Sequence, residues 1–354
     1  MTGAAEDWTR PTVAFGRRAV PQLFGELHEP GGRLRALTSL SLLTHDPERV
    51  CQTVTGGFLE QLKVLFQDED PSVRIKTCEL LHLLISHSIG RRALLSSSLL
   101  PPLSLLLDDS SSSCRRSVHR VLDRLAQLPA GAEALLTLVP KLMLKLREEV
   151  EEEEGEVEVE EEEEEEEVLL LSTIGSCSRL DPLPALASEG VSLLGRKLSH
   201  RSPNIRREAA SALMALSVCE DGKHQVCEEA LLPVLVELLQ DGDVEVQANA
   251  AGVIMYTVII TAGKQRCLDL NVIPVLLHLV SQDKEEEEEE RKRRRKALVM
   301  YSLRALTALA EAPVGRRLLL EQLPLLVKRS EAAEQDQDIR RAAKTAVRVV
   351  TWTP

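Results

Sequence analysis

Leucine, valine and alanine recur at helical spacing along most of the chain, and residues 231–263 show the pattern most plainly. LLPVLVELLQ is amphipathic and opens on Leu-Pro; a short acidic turn follows, then Val246 and Gln247 start a longer Ala-rich stretch that runs to Gly263. Apolar residues three and four apart share one face of a helix, proline suits a first helical turn, and glycine readily adopts the left-handed conformation that ends one. The stretch therefore predicts an aliphatic helix, a turn, a longer helix, and a glycine that closes the unit.

The same grammar returns. A glycine sits 17 residues after the apolar residue opening each long helix: Val73 and Gly90, Cys114 and Gly131, Ile205 and Gly222, Val246 and Gly263, Leu298 and Gly315. The glycines step by 41, 91, 41 and 52 residues, so one unit is about 41 long and a further unit hides in the 91, its closing position at Asp181. Ile339 lies 41 after Leu298 and Arg49 lies 41 before Gly90, which adds a unit at each end. A period of 40–47 residues built from helices marks an armadillo or HEAT array, in which neighbouring units stack to share one core. The fold expected is an all-α, right-handed armadillo/HEAT-type solenoid of about eight repeats. LPVLVELL, then D-x-D-x-x-V, then an Ala-rich helix ending in Gly resembles the three-helix armadillo unit.

Two units carry extra residues at the same grammatical place, between the first helix and the long one. One is an acidic insertion loop, 148–167, expected to be disordered; the other is a charged insertion, 283–296. Residues 148–167 hold sixteen glutamates and no basic residue, so without them the formal charge is +3 rather than −13. The second insertion sets glutamates four residues ahead of Arg291, Lys292, Arg293 and Arg294, a spacing that supports a helix by about 0.2–0.5 kcal/mol per pair. RKRRRK at 291–296 resembles a nuclear localisation signal, though the adjacent glutamates compete for its charge.

Length alone would suggest two or more domains; the repeat replaces them with one solenoid, 21–354, behind an N-terminal arm, 1–20, that is disordered or pinned by Trp8 and Phe15. Aromatic content of 2% suits helices packed by Leu, Val and Ala. No uncharged apolar run reaches 18 residues and the start lacks a signal peptide, so a soluble intracellular protein is expected. Seven cysteines without C-x-x-C pairing argue against a disulfide framework; Cys78 and Cys114 fall on faces expected to be buried.

The chemistry-bearing motifs are missing. There is no H-E-x-x-H, G-x-S-x-G, P-loop or G-x-G-x-x-G, and His82 and His87 are five apart, off a common helical face. Neither enzyme, cofactor, metal nor small-molecule substrate is expected. Cargo-carrying armadillo proteins of the importin-alpha type bear Trp and Asn four residues apart on the long helix; the corresponding pairs are Glu79 and Leu83, Arg120 and Arg124, Ser211 and Ala215, Gly252 and Tyr256, Arg304 and Ala308. Neither residue type occurs there. Arginine does, and Arg115, Arg116, Arg120, Arg124 and Arg304, with Ser211 and Tyr256, form the candidate partner-binding groove, favouring an acidic partner; a solvated helix face is the plainer reading.

Several segments carry a closer likeness: THDPERV at 44–50, QDEDPSVRIKTCELLHLLISHSIGR from Gln67, LDRLAQLPAGAEALL from Leu122, NIRREAASALMALSVCEDGKHQV from Asn204, LPVLVELLQDGDVEVQANAAG from Leu232 and LRALTALAEAPVGR from Leu303. Together they resemble the radial spoke head 14 homolog family. The resemblance implies a non-enzymatic structural adaptor in the axoneme of motile cilia and sperm flagella. Its partners would be other radial spoke subunits and doublet-associated proteins, with no nucleic acid and no membrane. The alternative is a soluble armadillo cargo adaptor in nuclear or ciliary transport, against which the missing Trp and Asn count.

Overall fold

The computed structural model describes residues 16, 18–153, 161–282, 289–331 and 336–352, and contains no strand among them. Trp8, Phe15, the centre of the acidic insertion and the glutamates at 285–288 lie outside the described residues, and so do the four-residue Glu–Arg and Glu–Lys pairs they would form.

One helix from each of eight successive units sets the rhythm: α1 Arg33–Leu43, α2 Pro71–Ile85, α3 Ser112–Ala126, α4 Glu161–Leu180, α5 Pro203–Leu216, α6 Val244–Thr257, α7 Glu289–Leu309 and α8 Gln337–Val350. Local chemistry starts them. Asp70, Ser202, Asp243 and Asp336 each precede a helix and accept a hydrogen bond from its first N–H groups, at 2.8, 3.2, 2.7 and 2.8 Å, and a cap of this kind contributes about 1 kcal/mol. α3 follows a serine run, Ser110 to Ser113, a residue type that suits an N-cap, yet it starts differently. Ser111 occupies the N-cap without a side-chain bond, and Asp109 instead accepts from the Ser111 N–H at 2.9 Å.

The apolar residues chosen as markers, Val73, Cys114, Ile205, Val246, Leu298 and Ile339, are all buried, as is Cys78. The glycines are another matter. None of the five marker glycines has positive φ. Each is instead the third residue of a short helix that follows the long one: Ser88–Ser96, Pro129–Leu135, Glu220–Glu228, Thr261–Asp269 and Pro313–Glu321. A Cβ on Gly90, Gly131, Gly222, Gly263 or Gly315 would fall on the carbonyl oxygen of Leu84, Leu125, Leu216, Thr257 or Leu309, six residues earlier. The glycine is there because two backbones touch, so it opens a helix rather than closing one. A left-handed residue comes eight positions after Gly222 and Gly263, at Ala230 and Asn271, with φ of 54° and 52°, and eight after the corresponding positions Asp181 and Arg49, at Glu189 and Gly57, with φ of 60° and 71°. Asp181, the predicted hidden closing position, sits just before the short helix Leu183–Leu186 and accepts from the Leu183 N–H at 3.0 Å.

The chain forms two compact units, Met1–Leu138 with Glu158–Leu180, and Val139–Val157 with Asp181–Pro354. In the first, α1 packs on α2, α2 on α3 and α3 on α4; in the second, α5 packs on α6, α6 on α7 and α7 on α8. Small residues make the second stack close. In α6 Ala248, Ala250, Ala251 and Gly252 are buried beside Val253 and Ile254.

The acidic insertion is not a loop at its ends. The helix Val139–Glu153 carries its first glutamates and α4 begins at Glu161, leaving 154–160 between them. Glu166 and Glu167 are buried, and Arg115 of α3 answers Glu166 at 2.9 Å, which offsets part of the repulsion along the glutamate run. Both insertions lengthen the long helix they precede: α4 has 20 residues and α7 has 21, against 14 or 15 in α2, α3, α5, α6 and α8.

Candidate functional site

An arginine ladder runs through the long helices, and the motif search did not find it. Arg74, Arg115 and Arg206 directly follow the buried markers Val73, Cys114 and Ile205, and Arg33 lies 41 before Arg74. Each donates backward to a carbonyl six residues earlier: Arg33 to Leu27 at 3.1 Å, Arg74 to Asp68 at 2.8 Å, Arg115 to Asp109 at 3.1 Å and Arg206 to His200 at 2.8 Å. Three of them also reach forward by 35 residues, Arg33 to Asp68 at 2.6 Å, Arg74 to Asp109 at 2.6 Å and Arg206 to Asp241 at 2.8 Å. Gln247 makes the backward bond alone, to the Asp241 carbonyl at 2.8 Å. Burial pushes the Asp109 carboxyl up, but hydrogen bonds from Arg74 and the Ser111 N–H outweigh it, so Asp109 sits below the usual carboxylate range. The signal was present in the sequence as Arg and Asp 35 apart, repeated at the period of the units.

Arg115 thus belongs to the ladder as well as to the candidate groove. Its forward carboxylate comes from the acidic insertion, Glu166 at 2.9 Å. Next to it Arg120 clasps Glu165, with Nε at 2.9 Å from Oε1 and Nη2 at 2.7 and 2.8 Å from the two oxygens, while Arg116 lies 3.7 Å from the same carboxylate. Burial holds the Glu166 carboxyl above the usual range, with Arg115 and Arg116 pulling the other way. Burial also pushes the His82 imidazole down, against its 3.2 Å hydrogen bond with the Arg120 carbonyl. The positive stretch expected on α3 is therefore largely neutralised by α4. Of the four α3 arginines only Arg124 is exposed and makes no hydrogen bond or close ion pair among the described residues, its charge acting on Asp123 and His82 from farther off.

The remaining candidates stand in the second unit. Ser211 on α5 and Tyr256 on α6 are half-buried, and Arg304 on α7 is exposed. At Gly252 a Cβ would fall on Met214 Sδ of α5 and lie 3.4 Å from Tyr301 Cδ2 of α7, so the stack leaves no room there for the tryptophan of a cargo ladder. The basic run is drawn inward at its end: Arg294 meets Glu245 of α6 at 3.2 Å, Arg295 donates to Gln282 at 2.5 Å, and Lys296 lies 2.7 Å from both Asp336 and Asp338. The hydrogen bonds with Asp336 and then Asp338 raise the Lys296 pKa. Between α7 and α8 lies a groove of about 690 Å³ into which Arg304 and Arg341 reach. Among the described residues no three His, Cys, Asp or Glu side chains group as a metal site, and no helix is long and apolar enough to cross a membrane.

Residues 219–254 match the armadillo/beta-catenin-like repeat. That interval holds the helices Glu220–Glu228 and Leu232–Leu238 and most of α6, the greater part of one unit. The fold is an all-α solenoid of the armadillo/HEAT class. The crystal structure of an engineered protein superposes with a TM-score of 0.55 at 16% identity, covering 95% of this chain and 99% of that one; at such identity the likeness is one of fold. Armadillo-class arrays present extended surfaces to other proteins, and a protein-interaction scaffold is the function class this fold supports.

Proposed function

We propose that this chain is a non-enzymatic adaptor of the radial spoke in the axoneme of motile cilia and sperm flagella, where it holds other spoke subunits and doublet-associated proteins against its long helices. The observation that carries the adaptor reading is the long helices bearing exposed cations that make no hydrogen bond or close ion pair among the described residues, Arg124 in one unit and Arg304 in the other. The placement in the spoke rests on the six segments that resemble the radial spoke head 14 homolog family. The cargo-carrier alternative loses support at Gly252, whose side-chain space is taken by Met214 and Tyr301. The test is to express the tagged full-length chain in ciliated cells and extract them with detergent. The chain is expected to stay on the axoneme and to leave only as salt rises. Release with the soluble fraction, or accumulation in the nucleus, overturns the reading.

A further inference from the structure

Arg74, Cys78 and His82 follow one another at four-residue steps and so share one face of α2. The two outer members fix what that face meets. Arg74 clasps Asp109, just before α3, at 2.6 and 2.8 Å, and His82 meets the Arg120 carbonyl within α3 at 3.2 Å. Cys78 lies midway between Arg74 and His82, and Cys114 lies in the middle of the interval from Asp109 to Arg120. The register therefore sets one cysteine opposite the other. Both are fully buried free thiols, and they share a hydrogen bond across the packing of α2 on α3.

The pair is unsymmetrical. Cys114 stands in the first turn of α3, where a helix N-terminus favours thiolate, and Arg74 also hydrogen-bonds its sulfur. The hydrogen bond from Cys78 holds the Cys114 thiol below its ordinary range, against burial and the charge of Asp109; the same bond, and then burial, pushes the Cys78 thiol well up. Cys114 is the nucleophile and Cys78 keeps its proton. Elsewhere burial dominates, pushing Cys177 up to about 11 and Cys267 up to about 12. The way in is the start of α3. Its N-cap, Ser111, makes no side-chain bond and Ser110 beside it is exposed, so this first turn opens more readily than a capped one.

We propose that Cys114 and Cys78 form a peroxide-reactive dithiol site, whose oxidation staples α2 to α3. The site is independent of the adaptor reading and adds a chemistry to it. The Cys114 thiolate attacks one oxygen of hydrogen peroxide; the O–O bond breaks, Cys114 becomes a sulfenic acid, and the other oxygen leaves as hydroxide, which takes up a proton to give water. The Cys78 sulfur then attacks the Cys114 sulfur, the S–O bond breaks, and the hydroxyl departs with the Cys78 proton as a second water. The two thiols lose two electrons and two protons, and peroxide is reduced to water. The product locks two successive repeats together beside the clasp that Arg74 and Asp109 already make. In a reducing compartment such a bond is transient and serves sensing rather than structure.

The test treats the reduced full-length chain with a small excess of hydrogen peroxide, alkylates the remaining thiols after unfolding, and maps the peptides by mass spectrometry. A Cys78–Cys114 cross-link is expected, lighter by two hydrogens, forming roughly tenfold or more faster than oxidation of the half-buried Cys51 and Cys219. Dithiothreitol should reverse it. The cross-linked chain should unfold at higher urea, because the bond restrains the unfolded state. In Cys78→Ser, dimedone should trap a sulfenic acid at Cys114; in Cys114→Ser, Cys78 should remain a thiol. Circular dichroism checks that both variants fold, and the cross-link in the parent needs neither of them. Oxidation of Cys51 or Cys219 ahead of the pair, a disulfide between other cysteines, or recovery of Cys78 and Cys114 as intact thiols overturns the proposal. So does dimedone labelling of Cys78 in Cys114→Ser at the rate found for Cys114 in Cys78→Ser.

Discussion

The α3 face and the α7–α8 groove carry the same residue type and do opposite things with it. On α3, Arg115, Arg116 and Arg120 are met by Glu165 and Glu166 of the neighbouring helix. Along the groove, among the described residues, Arg304 meets no carboxylate and Arg341 meets one only at 4.0 Å. The difference is supplied by an insertion, whose acidic end packs beside one set of arginines; the other insertion ends in its own cations, and those are spent on Glu245, Asp336 and Asp338. An arginine on a long helix is thus left open only where the next repeat has no acid to offer it.

The largest effect that would break this contrast is at Glu166. Glu166→Lys places a cation among Arg115, Arg116 and His119 and should cost about 3–5 kcal/mol, the loss expected when one partner of a buried ion pair is removed; urea unfolding measures it, and an unchanged midpoint would mean the glutamates only decorate α3. A control that moves stability without moving charge comes from the backbone. Gly222→Ala should cost about 1–3 kcal/mol because its Cβ meets the Leu216 carbonyl, and Gly222→Asn should be no milder, whereas a left-handed glycine would tolerate Asn. Ala230→Gly, eight residues on, should instead gain about 0.5–1 kcal/mol by relieving a φ of 54°. If Gly222→Asn rescues Gly222→Ala, the close-approach account is wrong.

Smaller still is the effect of Arg120→Ala. The Arg120 and Glu165 side chains are both 42% exposed, so the pair should contribute roughly 0.2–1 kcal/mol and fade in high salt; Arg304→Ala should stay within about 0.5 kcal/mol. Acidity sharpens the comparison last. Glu166 is held above its ordinary value by burial, so the folded chain keeps that proton longer than the unfolded one, and stability from this group declines as pH rises from about 4. Asp109 and Asp243 are held below theirs, burial in each case being outweighed by their arginines and backbone N–H groups; their contribution is complete above about 4 and is lost as pH falls through the folded values. Chemical unfolding of the parent, Glu166→Gln and Asp109→Asn between about pH 3 and 7 should show slopes removed in opposite directions; slopes of one sign would refute the assignment.

The period, the buried markers and the hidden repeat at Asp181 were legible because burial repeats every 41 residues and needs only an apolar residue to announce it. The role of the glycines was not, since a residue required by a touching carbonyl and one required by positive φ look alike in a sequence. The true left-handed joint was harder to see, being occupied by Glu189, Ala230 and Asn271, two of which are uncommon in that conformation. The candidate groove was read residue by residue and so missed pairing across helices. Arg120 and Arg304 look equivalent on their own strands of sequence, and only the packing of α3 against α4 tells them apart.

The forward reach of the ladder gives the chain a seam. Arg33 closes on Asp68 and Arg74 on Asp109, so each clasp begins just inside one unit and ends just before the same place in the next. Excising 74–114 would join Val73 to Arg115 in unbroken register, take away one clasp whole, and leave the clasps on either side with both their halves. Such a cassette can be lost, gained or exchanged by recombination without stranding a charge, which is a route by which an array of this kind changes its length while keeping its fold.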